Sequence, residues 1–165
     1  MKNLDSEVFV LDSSAFYSGF HLSNSKKYYT TPLILDEVRH LKNLTSSYDA
    51  LIISESLFAL EPNVESVSKT RTTAFSSGDI DRLSDADISI ISLSYQLGYP
   101  LVSDDYCVQN VSKIMGIEII SLGISEISKI RKWINFCKTC GKGYSPKITE
   151  CTICGNKTRR RYKNK

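Results

Sequence analysis

Four of the five cysteines lie in the last quarter of this 165-residue chain, as two Cys-x-x-Cys pairs separated by ten residues. The pairs are Cys137 with Cys140 and Cys151 with Cys154. A two-residue gap lets both thiolates of a tight turn reach one ion at about 2.3 Å, and zinc prefers four such ligands in a tetrahedron. Gly141 and Gly155, directly after each pair, suit turns that require a positive φ. The sequence therefore predicts one structural zinc; a disulfide or redox pair is the alternative.

Charge is distributed unevenly along the chain, although the net charge is only +3. Residues 126–165 carry 12 lysines and arginines against two glutamates, a net charge of +10, whereas residues 1–125 carry −7. Six of the cations lie at the end of the chain: Lys157, Arg159, Arg160, Arg161, Lys163 and Lys165. With Tyr144 and Tyr162 available for base stacking, we expect this basic segment to bind nucleic acid. A solvated, disordered terminus is the alternative.

Short β-rich runs alternate with helical segments through the first 125 residues, which is the pattern of a parallel α/β sheet. Predicted strands are 8–11, 51–54, 100–102 and 117–121. Predicted helices begin at Pro32, cover 64–77, follow Ser84 as far as Gly98, run from Asp105 to Met115, and cover 123–136 including Trp133. We therefore expect a parallel sheet flanked by helices, followed by a small C-terminal zinc ribbon.

The length fits one core-forming domain with a small appendage. The expected boundaries are 1–124 for the α/β domain, 125–134 for a connecting helix, 135–158 for the zinc ribbon and 159–165 for a basic tail. The chain shows neither the apolar stretch of a signal peptide nor a run of about 18 apolar residues. We expect a cytoplasmic protein with no membrane contact, and the sequence does not define its oligomeric state.

Acidic residues recur where the predicted elements expose their ends. These residues are Asp12, Glu37, Asp85, Asp87, Asp104 and Asp105. In a parallel sheet the carboxyl ends of the strands share one edge, so carboxylates placed there can converge. Neighbouring carboxylates raise one another's pKa, whereas a divalent cation such as Mg²⁺ or Mn²⁺ favours their ionised forms. Each acid taken alone could instead cap a helix or favour a helix N-terminus.

Four acidic segments resemble the successive motifs of the PIN domain (PilT N-terminus) ribonuclease family. They are VLDSSAF with Asp12, LDEV with Glu37, LSDADISIISLS with Asp87 and LVSDDYCVQNV with Asp105. The resemblance covers roughly residues 7–122. It implies that these four acids bind one or two Mg²⁺ or Mn²⁺ ions, which activate water for phosphodiester hydrolysis. It also leaves Asp104 as a candidate helper of Asp105.

The order of the PIN-like domain and the cysteine ribbon along the chain indicates a resemblance to one particular family. A PIN-like domain followed by a four-cysteine ribbon and a basic tail, with the string DDYCVQNV, resembles the archaeal form of the Nob (Nin-one-binding) family of ribosome-assembly endonucleases. That family matures the 3′ end of small-subunit ribosomal RNA, so the resemblance implies precursor small-subunit ribosomal RNA and the pre-ribosomal small subunit as partners. A non-catalytic RNA-binding assembly factor and a PIN-type toxin ribonuclease are the alternatives. Complete acidic motifs favour an enzyme, and the ribbon disfavours a toxin.

The remaining candidate residues receive mostly structural interpretations. His21 and His40 lie in no catalytic context, which disfavours a metal-free mechanism with paired histidines. Cys107 is predicted to pack on the face of a helix with Val111 and Met115 rather than to bind metal or act in redox chemistry. Tyr28 and Tyr29 could either stack on RNA or pack against the protein.

Overall fold

The computed structural model describes residues 8–20, 27–39, 56–123 and 130–163, and its larger part is a parallel sheet flanked by helices. The strands are β1 (Val8–Leu11), β2 (Lys27–Thr30), β3 (Leu57–Ala59), β4 (Leu101–Val102) and β5 (Ile119–Ile120), in the order β3-β2-β1-β4-β5. The helices are α1 (Ser13–Tyr17), α2 (Pro32–Arg39), α3 (Val64–Ser77), α4 (Asp85–Leu97) and α5 (Tyr106–Ile114). The predicted α/β class is confirmed.

The central strand β1 is the middle of the core. Its residues Phe9, Val10 and Leu11 are completely buried, because strands of the same sheet cover both edges and helices cover the faces. Helix α4 also carries buried residues on most of its sides, including Ile90 and Ile91. Such continuous burial is typical of parallel sheets in α/β proteins.

The helix boundaries follow the capping signals in the sequence. At the start of α4, the Ser84 hydroxyl accepts from the Asp87 backbone N–H, and the Asp87 carboxylate accepts from the Ser84 N–H. This reciprocal pair forms a capping box, and Gly98 ends the helix with a φ of 72°. The predicted helix between Ser84 and Gly98 is therefore confirmed.

Strands β2 and β3 were not predicted, and the strand predicted at 51–54 lies outside the described residues. In β2, Tyr28 is completely buried, and Tyr29 stacks on Phe58 and Tyr99 with ring centroids 5.4 and 5.8 Å apart. The packing interpretation of these two tyrosines is the one the structure supports. The strand was not predicted because the adjacent lysines made this segment look like a polar loop in the sequence.

The smaller part of the chain is an antiparallel sheet. It contains β6 (Lys132–Phe136), β7 (Gly143–Tyr144) and β8 (Arg159–Lys163), in the order β7-β6-β8. Residues 132–136 therefore do not belong to a connecting helix, and the predicted basic tail is largely a strand. All five residues of β8 pair with β6, and Trp133 lies opposite Tyr162 with ring centroids 5.7 Å apart. In the described part of the chain, no helix is long and apolar enough to cross a membrane.

Candidate active site and zinc centre

The carboxyl edge of the parallel sheet forms the candidate active site. The chain continues from β1 to β2 on one side of β1, whereas β4 lies on its other side. Such a switch point leaves a crevice outside the strand ends, where α/β proteins bind ligands. Asp12 directly follows β1 and the Ser103-Asp104-Asp105 segment directly follows β4. The Asp12 backbone N–H donates to the Val102 carbonyl at 3.1 Å, which holds the two segments side by side.

Asp12 is the most enclosed of the four candidate metal ligands and is only 2% exposed. Its Oδ2 accepts from the Ser103 hydroxyl at 2.6 Å, and its Oδ1 accepts from the Ser13 backbone N–H at 2.7 Å. Burial raises the pKa of Asp12 to about 6, although these two hydrogen bonds oppose the shift. The negative charges of Asp87 and Asp105 raise the pKa further. Asp12 is thus fixed in position and close to other acids.

Glu37 and Asp87 approach the same edge from two helices. Thr31, directly before α2, hydrogen-bonds with Ser89 of α4 at 2.8 Å between their hydroxyl oxygens. Desolvation raises the pKa of Asp87, and the charge of Asp105 contributes to that shift. Desolvation also raises the pKa of Glu37, and the charge of Asp87 adds to it. Asp87 therefore lies close enough to Glu37 for its charge to raise the pKa of that carboxyl, and Asp105 lies close enough to Asp87 to do the same.

Asp105 and Asp104 differ in their surroundings, although they are neighbours in sequence. Asp105 caps α5, since its Oδ1 accepts from the backbone N–H groups of Cys107 and Val108 at 2.6 and 3.0 Å. The Asp104 carboxylate turns to the segment after β5, where Oδ1 accepts from the Ser121 hydroxyl at 2.6 Å and from Leu122 N–H at 2.9 Å. These bonds support a structural role for Asp104 rather than the predicted role of helper.

Asp85 is exposed, in contrast to the buried Asp12. It forms an exposed ion pair with Arg71, at 2.6 Å between Oδ1 and Nη2, which ties α4 to α3. Cys107 is half-buried, and burial raises the pKa of its thiol, so the thiol remains protonated at neutral pH. Both residues therefore have structural surroundings, which is the predicted packing role for Cys107. His21 and His40 lie outside the described residues.

The donor chemistry of Asp12, Glu37, Asp87 and Asp105 fits a hard divalent cation. All four offer carboxylate oxygens, which Mg²⁺ and Mn²⁺ prefer, and the negative charges of Asp87 and Asp105 oppose ionisation of Asp12. Among the described residues, however, these acids do not form a group of three or more side chains close enough together to hold one metal ion. The structure therefore brings the four acids to one edge without closing them into a compact cluster.

The raised pKa of Asp12 has a consequence for stability. Because the folded-state pKa of about 6 exceeds the ordinary value of 3.8, the ionised carboxylate opposes folding above pH 6, and this penalty disappears as the pH falls below 4. The difference corresponds to roughly 3 kcal/mol. Asp12→Asn should therefore stabilise the protein at pH 8. We expect the free energy of unfolding to rise by about 1–2 kcal/mol, because the changed hydrogen bonds of the amide offset part of the gain. Thermal unfolding without added Mg²⁺ or Mn²⁺ should show a smaller difference at pH 5. Equal stability of the two proteins at pH 8 would contradict this account.

The four ribbon cysteines form a compact cluster whose sulfurs all lie within 4.8 Å of one another. The Sγ atoms of Cys137 and Cys154 are 3.4 Å apart, and those of Cys140 and Cys151 are 3.5 Å apart. Tetrahedral zinc with bonds of about 2.3 Å requires sulfurs separated by about 3.8 Å. No cysteine in the described residues forms a disulfide. The cluster therefore fits a zinc ion.

Two equivalent turns present these cysteines. Gly141 N–H donates to the Cys137 carbonyl and Gly155 N–H donates to the Cys151 carbonyl, both at 2.9 Å. The glycines have φ values of 71° and 65°, as the sequence predicted. Tyr144 is buried and its hydroxyl lies 3.0 Å from Cys151 Sγ, where this hydrogen bond lowers the pKa of the thiol. The prediction that Tyr144 is available to stack on bases is wrong, because the ring packs inside the ribbon.

The predicted nucleic-acid-binding cations fall on different faces of the ribbon. Since side chains alternate along a strand, Arg159 and Arg161 of β8 share one face, and Arg160 lies on the other. Arg161 lies over the Phe136 ring at 4.7 Å, whereas Arg160 lies over the Trp133 ring at 4.2 Å. The remaining cations of the set are Lys157 before β8, Lys163 at its end, and Lys165, which lies outside the described residues.

Sequence reasoning missed residues that position the acids or the ribbon. Ser14 accepts from the Asp104 backbone N–H at 3.0 Å and lies 3.4 Å from Asp12 Oδ2, so it links the segments after β1 and β4. Its signal is the pair of serines directly after Asp12. Asp79 and Asn110 join the nuclease part to the ribbon through partly buried hydrogen bonds to Arg160 and to the Arg131 backbone. No local sequence pattern predicts a contact between residues so far apart in sequence.

Comparison with known proteins agrees with this geometry. Residues 9–97 match the family model described as the PIN domain of ribonuclease. The sheet, its acidic edge and this match define a PIN-domain ribonuclease.

Relatives specify the family further. Endoribonuclease Nob1 of Pyrococcus abyssi is 35% identical over 89% of each chain, and Endoribonuclease Nob1 of Methanothermobacter thermautotrophicus is 33% identical over 98% of this chain and 99% of that one. Ribonuclease VapC1 of Thermoplasma acidophilum is 26% identical over 94% of this chain and 78% of that one. The chain belongs to the Nob1 family of PIN-domain endoribonucleases. The prediction of an endoribonuclease is confirmed.

Proposed function

We propose that this protein cleaves precursor small-subunit ribosomal RNA to mature its 3′ end during ribosome assembly, in a reaction that depends on Mg²⁺ or Mn²⁺. The observation that carries the proposal is the union of two features on one chain. Four acids gather at the carboxyl edge of a PIN-domain sheet, and a basic four-cysteine ribbon packs against the same domain. The pre-ribosomal small subunit is the proposed partner. The cytoplasm, where this subunit would be assembled, is the proposed location of the protein.

Asp12, Glu37, Asp87 and Asp105 are the proposed ligands of one or two catalytic ions. Such ions lower the pKa of water and offset the negative charge that develops at the scissile phosphate. Hydrogen bonds hold three of these carboxylates in place, since Ser103 binds Asp12, the Ser84 backbone binds Asp87, and the start of α5 binds Asp105. Attack by water at phosphorus with departure of the 3′ oxygen leaves a 5′ phosphate and a 3′ hydroxyl.

The ribbon is the proposed RNA-binding module, and one structural zinc would hold its two turns together. The outer face of β8, opposite to the side on which Arg160 contacts the nuclease domain, presents Arg159 and Arg161. In the sequence, Lys157 precedes this strand, and Lys163 and Lys165 stand at and after its end. Cations in this number bind phosphates and release counterions, so RNA affinity should decrease steeply with salt. Tyr162 is 48% exposed, but it shares the face of Arg160, and its ring already contacts Trp133 and the Arg131 guanidinium, so we do not count it among the RNA-binding residues.

Substrate choice separates this function from that of a toxin nuclease, the alternative suggested by the VapC1-like relative. Purified protein should be incubated with a precursor small-subunit RNA fragment and with an unrelated messenger or transfer RNA of equal length. We expect preferential cleavage of the ribosomal fragment at its mature 3′ end. Equal or better cleavage of the unrelated RNAs would favour the toxin function, and RNA binding without cleavage would favour a non-catalytic assembly factor.

Removal of divalent ions should stop the reaction. In buffer depleted of Mg²⁺ and Mn²⁺ we expect no cleavage, because the acids repel one another and water keeps its ordinary pKa. Mn²⁺ should restore the activity of the same sample, provided elemental analysis shows that one zinc per chain remained bound. Cleavage that persists after complete depletion of both ions would contradict the proposed mechanism.

A further inference from the structure

The ribbon packs closely against the end of helix α3. Gly78 ends this helix with a φ of 82°, and a Cβ at this position would lie 2.8 Å from Trp133 Cβ and 2.9 Å from Pro146 Cγ. Lys147 Nζ lies 4.5 Å from the centre of the Phe75 ring on the same helix. The backbone of the nuclease domain therefore directly contacts the ribbon, in an approach that requires glycine.

A buried carboxylate lies directly after this contact. Asp79 is 1% exposed, and its Oδ2 accepts from the Ser77 hydroxyl at 2.8 Å and from Asn110 Nδ2 at 2.6 Å. Its Oδ1 accepts from Arg160 Nη2 at 3.2 Å, and the same guanidinium donates to the Gly78 carbonyl. Because a buried charge is costly without a partner, the ion pair with Arg160 favours the docked position of the ribbon.

Asn110 extends this network to the helix that Asp105 caps. Its Nδ2 donates to the Arg131 carbonyl at 2.9 Å, and its Oδ1 accepts from the Arg131 backbone N–H at 2.8 Å. Asn110 thus binds Asp79 and also fixes the backbone directly before β6. Since α5 begins just after Asp105, the ribbon is tied to the same helix that positions a candidate metal ligand.

We infer that Arg160 is a positioning residue for cleavage and does not contact RNA, although its place in the basic segment suggested such a contact. Its side chain faces the nuclease domain, is 29% exposed, and is shared among Asp79, the Gly78 carbonyl and the Trp133 ring. By holding the ribbon in one orientation, it fixes where RNA on the outer face of the ribbon enters the acidic edge. The inference rests on the proposed function, because it concerns RNA held by the ribbon.

The test compares two variants that each remove one positive charge from β8. Arg160→Met should lower kcat on the precursor fragment about tenfold or more and scatter the cut positions, because small misplacements of substrate are costly. Its salt dependence of RNA binding should match that of the unaltered protein. Arg159→Met should act through KM and reduce the log-log salt slope by about 0.7 to 0.9. A reduced salt slope with unchanged kcat and cut positions for Arg160→Met would overturn the inference.

Asp79→Asn provides a second variant that leaves the ribbon sequence intact. It should reproduce the loss in kcat and the scattered cuts, and combining it with Arg160→Met should add little further loss, because both break one contact. Additive losses would overturn the inference.

A measurement without RNA separates this inference from the proposed function. Nuclear magnetic relaxation should show the ribbon and the nuclease domain tumbling together in the unaltered protein and separately in Arg160→Met, with zinc content unchanged. Joint tumbling in both proteins would overturn the inference even if the protein cleaves ribosomal RNA. Separate tumbling of the variant, in a protein that cleaves no ribosomal RNA, would instead refute the proposed function while preserving the docking role of Arg160.

Discussion

Replacement of Asp12 by asparagine is expected to lower cleavage about a thousandfold or more, because it removes one carboxylate from ions that stabilise the transition state by several kcal/mol. RNA affinity should change little, since Asp12 is buried at the sheet edge and the predicted RNA-binding cations belong to the ribbon segment. Single-turnover cleavage at saturating RNA and a separate binding titration would measure the two effects. The substitution keeps the shape of the side chain, so folding should be preserved.

A matched pair of acids supplies the control. Asp87→Asn should also abolish cleavage, whereas Asp85→Asn, two residues earlier on the same helix, should retain it, because the exposed Asp85 carboxylate is engaged in an ion pair with Arg71. Both variants remove one negative charge from the first turn of α4. Equal losses in the two variants would mean that the charge of the helix terminus matters and that the assignment of the site is wrong.

Replacement of Cys140 by serine is expected to unfold the ribbon and to leave the nuclease domain folded. The ribbon core consists of only a few side chains around Tyr144, too few to fold a segment of this size alone. Structural zinc in comparable modules contributes roughly 10 to 16 kcal/mol of apparent binding free energy. Nuclear magnetic resonance spectra should lose dispersion for the ribbon residues only, and elemental analysis should show zinc falling from one per chain to nearly none.

Cys107→Ser is the control for the zinc prediction. Cys107 is half-buried on α5 of the nuclease domain, so its replacement should leave one zinc per chain and the ribbon signals unchanged. An unaltered protein that contains no zinc after purification under reducing conditions would contradict the prediction. So would a Cys140→Ser variant whose ribbon keeps its dispersed signals.

Local signals in the sequence were sufficient for much of the fold. Helix α4 could be placed because Ser84 and Gly98 provide a cap at each end, and β1 because a buried apolar run ends at a polar aspartate. The convergence of acids at one edge followed from the rule that parallel strands end there, whereas the choice of four among them followed from the resemblance to the PIN-domain motifs. The two cysteine turns followed from ligand spacing and glycine alone, which are properties of a few adjacent residues.

Other features depend on contacts between residues distant in sequence. From the sequence alone, residues 159–163 look like a solvated basic tail. In the structure they pair with β6, in a register that places Tyr162 opposite Trp133. In the sequence, nothing distinguishes Arg160 from Arg159 and Arg161. Its role depends on Asp79, which is 81 residues away in sequence and lies buried beside it in the structure. Asp104 and Asp105 also look alike in the sequence, but their surroundings differ in the structure, because the Asp104 carboxylate binds the segment after β5. Deleting 157–165 would therefore remove a strand, so single substitutions test RNA binding more cleanly.

Mapping both product ends from a precursor small-subunit RNA fragment tests the central claim most directly. The fragment should span the mature 3′ end and be incubated with the protein in Mn²⁺, alongside Asp12→Asn. The account predicts one cut at the mature 3′ end, with a 3′ hydroxyl on the upstream product and a 5′ phosphate on the downstream product, and no cut by the variant. A cyclic phosphate at the upstream end, or the same products from Asp12→Asn, would contradict it.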